Sequence, residues 1–266
     1  MKNKTLLTAR LLGCMLITIF TYSCNKSDHL PSTPTRLDKI VFDSLSINMA
    51  AVSFSYNADN QITSTHFSNT NNGITADFNV QYASAAQVRY VNAHEAREYE
   101  LYTLSTDRRP LTREIGVMSS SSTFAVFLYT YKYNSHQELD SVLVTNKSTG
   151  AAVGWYRFEY TNGNITKITQ PIGSSIAATE ITYDNNTNYY RNTNADLYMF
   201  MHNILDSETN YFGYFFSRNN PRSFKREEQG YAPVILNVTP TADQKISEYN
   251  YNGHVEYKTS FHYSAY

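Results

Sequence analysis

The stretch FAVFLYTYKY, residues 124–133, decides the reading of this chain, together with LDSVLVT (139–145), WYRFEY (155–160), TNGN (161–164) and ITKI (165–168). Two strand–turn–strand units follow one another. In each, aromatic residues on alternate positions end in Tyr, a short Asn-containing turn follows, and an aliphatic residue opens the return strand. Alternation of period two is the mark of a half-buried strand, because successive side chains point to opposite faces.

Working outward, the same unit recurs as Tyr56 to Ile62, Tyr82 to Val88, Tyr133 to Leu139 and Tyr160 to Ile165, at spacings of six, six, six and five residues. The internal repeat predicts that each Tyr lays its ring on the sheet at a strand end, with the aliphatic residue on the same side of the next strand. Asn162-Gly163 and Asn252-Gly253 are the strongest hairpin signals, since Gly takes positive φ without strain. Val52, Phe54 and Tyr56 alternate with serines, and Phe78, Val80 and Tyr82 form a second such strand. Tyr99 to Leu104, the polar Ser105 to Arg109 and Leu111 to Val117 make a further hairpin. The final strand puts Val255, Tyr257, Thr259, Phe261 and Tyr263 on one face, and His254, Glu256, Lys258, Ser260 and His262 on the other.

One segment leaves this period. Leu197, Phe200, Met201, Ile204 and Leu205 recur at helical spacing, after Asn194 as N-cap and Asp196 in the first turn. Phe212 to Ser217 reads as strand again, Asn219-Asn220-Pro221 as a turn, and Arg222 to Gly230 as a charged loop. The fold class predicted is all-β: an antiparallel meander, strongly curved or rolled into a partial barrel, with one short helix (about 196–205) packed on it. Two smaller β-domains divided near residue 120 are the alternative.

Composition fits many short strands. The chain has 266 residues with 23 Tyr and 14 Phe, and charged residues make up only 17%. A formal charge of −1 gives no attraction to a polyanion, so no nucleic-acid partner is expected. Both cysteines, Cys14 and Cys24, lie near the N-terminus, which removes disulfide frameworks and thiolate chemistry from the folded body. Lys2, Lys4 and Arg10 precede an apolar run from Leu11 to Phe20, too short to span a bilayer and typical of a secretory signal. Thr21-Tyr22-Ser23-Cys24 resembles a bacterial lipobox. The expected organisation is a signal peptide over 1–23, a lipidated Cys24 with a flexible tether over 24–36, and a single β-meander domain over 37–266. Acyl chains on Cys24 would make the membrane a partner. They place the chain at the outer membrane, on the periplasmic side or at the cell surface.

The aromatic-x-Tyr, Asn-rich turn, aliphatic unit is similar to the YD repeat of Rhs-type proteins. The order of features resembles, over roughly 37–266, a group of Bacteroidota lipoproteins classed as domains of unknown function. The features are a lipobox, a meander of hairpins, a segment like Thr182-Tyr183-Asp184-Asn185, a Leu/Phe/Met-rich helix, an Asn-Asn-Pro turn and final Tyr-rich hairpins. The resemblance implies a lipid-anchored envelope β-domain and assigns no catalytic residue. Asp43-Ser44-Leu45 and Asp140-Ser141-Val142 resemble the O-glycosylation triplet of Bacteroidota, with Ser44 and Ser141 as acceptors.

Motifs for chemistry are sparse. The seven His show no HxH or HExxH spacing, and no cofactor or metal is expected. No G-x-S-x-G elbow or phosphate loop occurs. Glu95, Glu98, Glu100, Glu227 and Glu228 read as solvated charge, although a hydrolase with a facing carboxylate pair stays open as an alternative. Arg218, Arg222, Lys225 and Arg226 read as a basic cluster compensated by the adjoining acids. Trp155, Tyr156 and Tyr160 are the candidate ligand-binding aromatics, one face of their strand being available to stack on a glycan or protein. The function expected is therefore non-enzymatic binding of a glycan, lipid or protein partner. A structural subunit pairing through edge strands is a third possibility.

Overall fold

The computed structural model describes residues 35–44, 50–69, 73–118, 124–188, 208–227, 232–241, 245–252 and 254–265. The first eight strands are β1 (Thr35–Ser44), β2 (Ala50–Tyr56), β3 (Ile62–Asn69), β4 (Ile74–Ser84), β5 (Gln87–Asn92), β6 (Tyr99–Leu104), β7 (Pro110–Met118) and β8 (Phe124–Tyr133). They are followed by β9 (Leu139–Asn146), β10 (Ala152–Thr161), β11 (Asn164–Ile172) and β12 (Ser175–Thr187). A helix, α1 (Glu208–Phe216), precedes β13 (Asn219–Arg226), β14 (Val234–Pro240), β15 (Ile246–Tyr251) and β16 (His254–Ala265). Each strand pairs antiparallel with its sequence neighbours, and β16 pairs with β1, so the meander closes completely into a barrel. The ring forms wholly within Thr35–Ala265.

The repeat positions fall where the spacing predicts. Tyr56 lies opposite Ile62, Tyr82 opposite Val88, Tyr133 opposite Leu139 and Tyr160 opposite Ile165. All these hairpins gather at one end of the barrel. Two of these turns, together with those at Ser105 and Thr241, use the same device, a side-chain oxygen taking the amide four residues on. Asn57 Oδ1 accepts from the Gln61 amide at 2.9 Å, and Asn134 Oδ1 from the Glu138 amide at 3.0 Å. Ser105 and Thr241 hydroxyls do the same for Arg109 and Lys245. Three tyrosine hydroxyls reach across the wall. Tyr133 donates to Pro110 O at 2.8 Å, Tyr183 to Ile165 O at 2.6 Å, and Tyr56 to Leu37 O.

Burial pushes the hydroxyl pKa of Tyr56, Tyr90, Tyr102, Tyr133 and Tyr183 upward. Because the folded pKa lies above the unfolded one, this stabilisation is fully present below about pH 10 and is lost as pH rises beyond it. In an alkaline titration, tyrosinate absorbance from these groups should lag behind that of free tyrosine and then rise in one step with loss of the β-sheet signal. A smooth titration near the model-peptide value would show instead that the rings reach water in the folded state.

Directly opposed residues in antiparallel strands share a face. Outward rows are polar: His262, Lys39, Ser53, His66 and Asp77 lie side by side across five strands, and Glu159, Lys167, Glu180 and Lys225 across four. Inward rows are apolar and aromatic. Phe261, Ile40, Val52, Phe67 and Ala76 make one, and Tyr82, Val88, Tyr102, Arg113, Tyr129 and Val144 another.

Three sequence expectations need correction, and one lies out of reach. The helix expected at about 196–205 falls outside the described residues. Phe212 to Ser217 is not strand but the second half of α1 and its exit. Its order, YFGYFF, mimics a strand because five of these six residues are aromatic and so mark no single apolar stripe. The Asn219-Asn220-Pro221 turn and the charged stretch from Arg222 to Arg226 are instead β13, with Pro221 opposite Tyr183 at a register shift, where a missing amide is tolerated. Glu100 is not solvated; it is buried at 4% exposure.

Candidate binding lumen

Sixteen strands about 4.8 Å apart and tilted by roughly 40° enclose a ring some 30 Å across between opposite backbones. Wall side chains alone do not fill such a width. At the tyrosine end α1 supplies the remainder. Tyr211 and Phe212 are completely buried and Tyr214 nearly so. Phe212 meets Tyr156 and Phe158 at ring-centroid distances of 5.1 and 4.9 Å, while Tyr214 meets Phe224 and Tyr249 at 5.7 and 6.3 Å.

The helix sits hard against the wall because residue 213 is Gly. A Cβ there would lie 2.8 Å from Phe224 Cε1 and 3.0 Å from Ile181 Cδ1. Gly213→Ala should therefore cost stability by about 1–3 kcal/mol, as overpacking does, despite the better helix propensity of Ala. A denaturation midpoint at or above the parent's would show that the helix is free to shift. The exit of α1 is tied down by polar groups. Asn188 Nδ2 donates to the Tyr214 and Ser217 carbonyls, Ser217 Oγ accepts from the Ile165 amide at 3.0 Å, and the Arg218 amide donates to Gly163 O at 2.9 Å.

Toward the other end the inner wall opens. Inward-facing Phe67, Ala76, Phe78, Ile115, Val117 and Phe127 are only half-buried. At the rim, Ile74, Ile172 and Val234 reach 54%, 41% and 37% exposure. Among the described residues the apolar inner wall is thus sealed by α1 at one end and less buried toward the other.

Between stopper and mouth lies a buried ion pair. Arg113 Nε donates to Glu100 Oε2 at 2.8 Å, and the Tyr102 hydroxyl donates to the same oxygen at 3.0 Å. The guanidinium carbon stands 5.3 Å from the Tyr129 ring centre and 5.7 Å from that of Tyr102. Burial works to lower the Arg113 pKa, but Glu100 and Tyr102 more than reverse it, so the group stays charged. Its Nη1 has no hydrogen-bond partner.

The aromatics singled out in the sequence are divided by the wall. Tyr156 and Tyr160 face inward, Tyr156 against the stopper, whereas Trp155 faces outward opposite Leu143 with Arg157 5.2 Å from its ring. Ser141 lies on the outer wall, its Oγ donating to Asp140 Oδ2 at 3.2 Å; Ser44 is the last residue of β1. Cys24 lies outside the described residues. Arg222 and Lys225 are exposed, and Glu227 pairs with Lys167. On the outer wall Asp77 accepts from both His66, at 2.6 Å, and His94, at 3.3 Å. No group of three His, Cys, Asp or Glu among the described residues is arranged to hold a metal ion. Sequence reasoning missed Arg113 and Glu100, although the hairpin turn at 105–109 sets Tyr102 opposite Arg113.

A closed meander of sixteen strands with an apolar interior has counterparts among solved structures. The fold is that of porin-like proteins from Bacteroides. One, from Bacteroides uniformis, aligns at a TM-score of 0.60 and 13% identity over 87% of this chain and 99% of its own. Another, from Bacteroides vulgatus, aligns at 0.54 and 12% over 88% and 100%. A chain of the Photorhabdus luminescens Tc holotoxin pore aligns at only 0.33 and 9%, too low to bear on this protein. No family model matches the chain, and no curated protein does.

Proposed function

We propose that this chain is a non-enzymatic, envelope-associated binding barrel, held to a membrane by lipid on Cys24, whose lumen takes an apolar ligand through its open end. The gradient of burial along the inner wall carries this reading: a floor sealed by α1, and a mouth lined by exposed Ile74, Ile172 and Val234. Lipobox-like residues before Cys24 and the fold shared with porin-like Bacteroides proteins support the envelope setting.

The polar rows of the outer wall fit a barrel that stands in water. A transmembrane barrel turns an apolar band outward, whereas here charged and polar residues occupy outward rows and apolar ones face in. Among the described residues no helix is long and apolar enough to cross a membrane. Edge-strand pairing has little to work with, since every described strand has a neighbour on both sides. The acids near the mouth are engaged locally: Glu95 with Arg97 at 2.8 Å, Glu98 with Asn92, and Glu100 with Arg113. These contacts favour binding over hydrolysis.

Two measurements test the proposal. Residues 35–266 should bind the neutral fluorophore N-phenylnaphthylamine saturably, and Phe127→Arg, at the half-buried inner wall, should weaken that binding at least ten-fold. Absence of saturable binding would overturn the lumen reading. The full chain expressed in a lipoprotein-processing host should incorporate labelled palmitate, and Cys24→Ala should not; equal labelling of both would remove the anchor.

A further inference from the structure

We infer that the end of the barrel opposite α1 is a membrane-docking crown, whose rim enters the surface of a neutral phospholipid bilayer by apolar contact, apart from any lipid on Cys24. The inference goes beyond the proposed function. Where that function holds, the bilayer is the store from which the apolar ligand enters.

The first observation is where apolar surface lies open. Among the described residues nine large apolar side chains are exposed, and seven of them stand within two residues of a strand end opposite α1. Single exposed apolar residues are ordinary, whereas a gathering of them marks an interaction surface. They run from Ile74 on β4 round to Val234 and Ile235 on β14. The turns at this end match them. Turns 45–49 (Leu-Ser-Ile-Asn-Met), 70–73, 119–123, 173–174 and 252–253 hold no Asp, Glu, Lys or Arg. Turns at the α1 end hold Asp59, Glu138, Lys245 and the run Asp107-Arg108-Arg109. Of the charges at the crown, Lys147 pairs with Glu114, Arg97 with Glu95 and Glu227 with Lys167.

The second observation selects the occupant. Register turns Ile74, Ile172 and Val234 into the barrel, and Phe124, Ile176 and Ile235 out of it. A second copy set end-on, or the groove of a rigid partner, covers one of these sets and leaves the other in water. A fluid apolar phase takes up both.

The third observation is depth. Outward charge begins three or four residues inside the rim, at Asp77 beyond Ile74 and at Glu180 beyond Ile176. At roughly 3.3 Å per residue and a tilt near 40° the charge lies about 8–10 Å from the rim. Peripheral elements enter a bilayer by about 5–10 Å. Trp155 and Leu143 face one another on the outer wall at that depth, three residues from the strand ends Ala152 and Asn146. Trp is the side chain suited to the boundary between acyl chains and head groups. The chain between Cys24 and the barrel is long enough. Residues 25–34 lead to Thr35, which lies at the α1 end. At up to about 3.3–3.6 Å each they exceed a wall height of roughly 25 Å. A lipid on Cys24 therefore leaves the crown able to reach the same bilayer.

The test uses residues 35–266, within which the ring closes and from which Cys24 is absent, with vesicles of phosphatidylcholine. Trp155 is the chain's one Trp, so its emission reports on the crown. Vesicles should shift that emission to shorter wavelength, brominated acyl chains should quench it, and salt should change neither. Ile176→Asp, on the outer wall at 68% exposure, should weaken vesicle binding about ten-fold, the scale of burying one large aliphatic side chain. Leu111→Asp, 40% exposed at the α1 end, should leave it unchanged. Emission that vesicles do not alter overturns the inference. So does equal weakening by Leu111→Asp, and so does binding that high salt abolishes. A dimer in sedimentation velocity that Ile176→Asp disperses and vesicles fail to dissociate gives the crown to a second copy and overturns it as well. Palmitate labelling and probe binding test the proposed function separately from all of these outcomes.

Discussion

Glu100→Ala is expected to lower the stability of the barrel by about 3–5 kcal/mol, the cost of leaving a buried cation without its partner. Arg113 is 1% exposed, charged, and fixed by Glu100 Oε2. Without the carboxylate the guanidinium keeps only the faces of Tyr102 and Tyr129. The melting midpoint should fall by roughly 10 °C, at about 2–4 °C per kcal/mol for a chain of this size. Removing both charges behaves differently. The Glu100→Met/Arg113→Met variant should be within about 1 kcal/mol of the parent or more stable, because neither group is then desolvated alone. Urea unfolding of the two variants decides the matter. A loss below about 1 kcal/mol for Glu100→Ala would mean that water or another acceptor reaches Arg113, against the buried-pair account.

Phe212→Ala should cost a similar amount, about 3–5 kcal/mol, because a fully buried aromatic is removed from a closed floor. Its ring touches those of Tyr156, Phe158, Tyr211 and Phe216, which belong to β10 and to the helix itself. These neighbours stand on a hydrogen-bonded wall and cannot collapse far into the gap, so the cavity remains. The same variant should therefore take up more N-phenylnaphthylamine than the parent does. A stability loss with no gain in probe uptake would locate the binding region away from the stopper.

Local features of the fold were legible in the sequence and distant ones were not. The hairpins could be read because their code is short-range: a Tyr, an Asn-type turn and an aliphatic residue within six positions. Tyr56 does lie opposite Ile62, and Tyr133 opposite Leu139. Two further members lack the Tyr, so Leu104 to Pro110 was legible as a hairpin but not as a repeat and Pro240 to Ile246 was not legible, although Ser105 and Thr241 make the same turn contact. Curvature was readable, but closure was not, since it joins residues such as Ile40 and Phe261 with no local signal. The helix Glu208–Phe216 was hidden because five of its last six residues are aromatic, which leaves no single apolar stripe of the kind that betrays a surface helix. The Arg113–Glu100 pair was within reach by counting back from the 105–109 turn. Acids near a charged loop were read as solvated, because inward and outward cannot be told apart until the ring is known.

Closure through β1 and β16 has a consequence for how the chain is made. Thr35 pairs with Ala265 and Ser44 with Tyr257, so the first strand synthesised waits for the last. Until then the growing sheet keeps a free edge at β1 and a second, moving edge at its newest strand. Such edges invite pairing with other chains. Joining the two ends of the sequence is also the slowest kind of contact to form, because the whole intervening chain must be ordered first. Losing β16 would thus do more than shorten the sheet. It would turn a ring without ends into a ribbon with two, and convert a self-contained barrel into a template for aggregation.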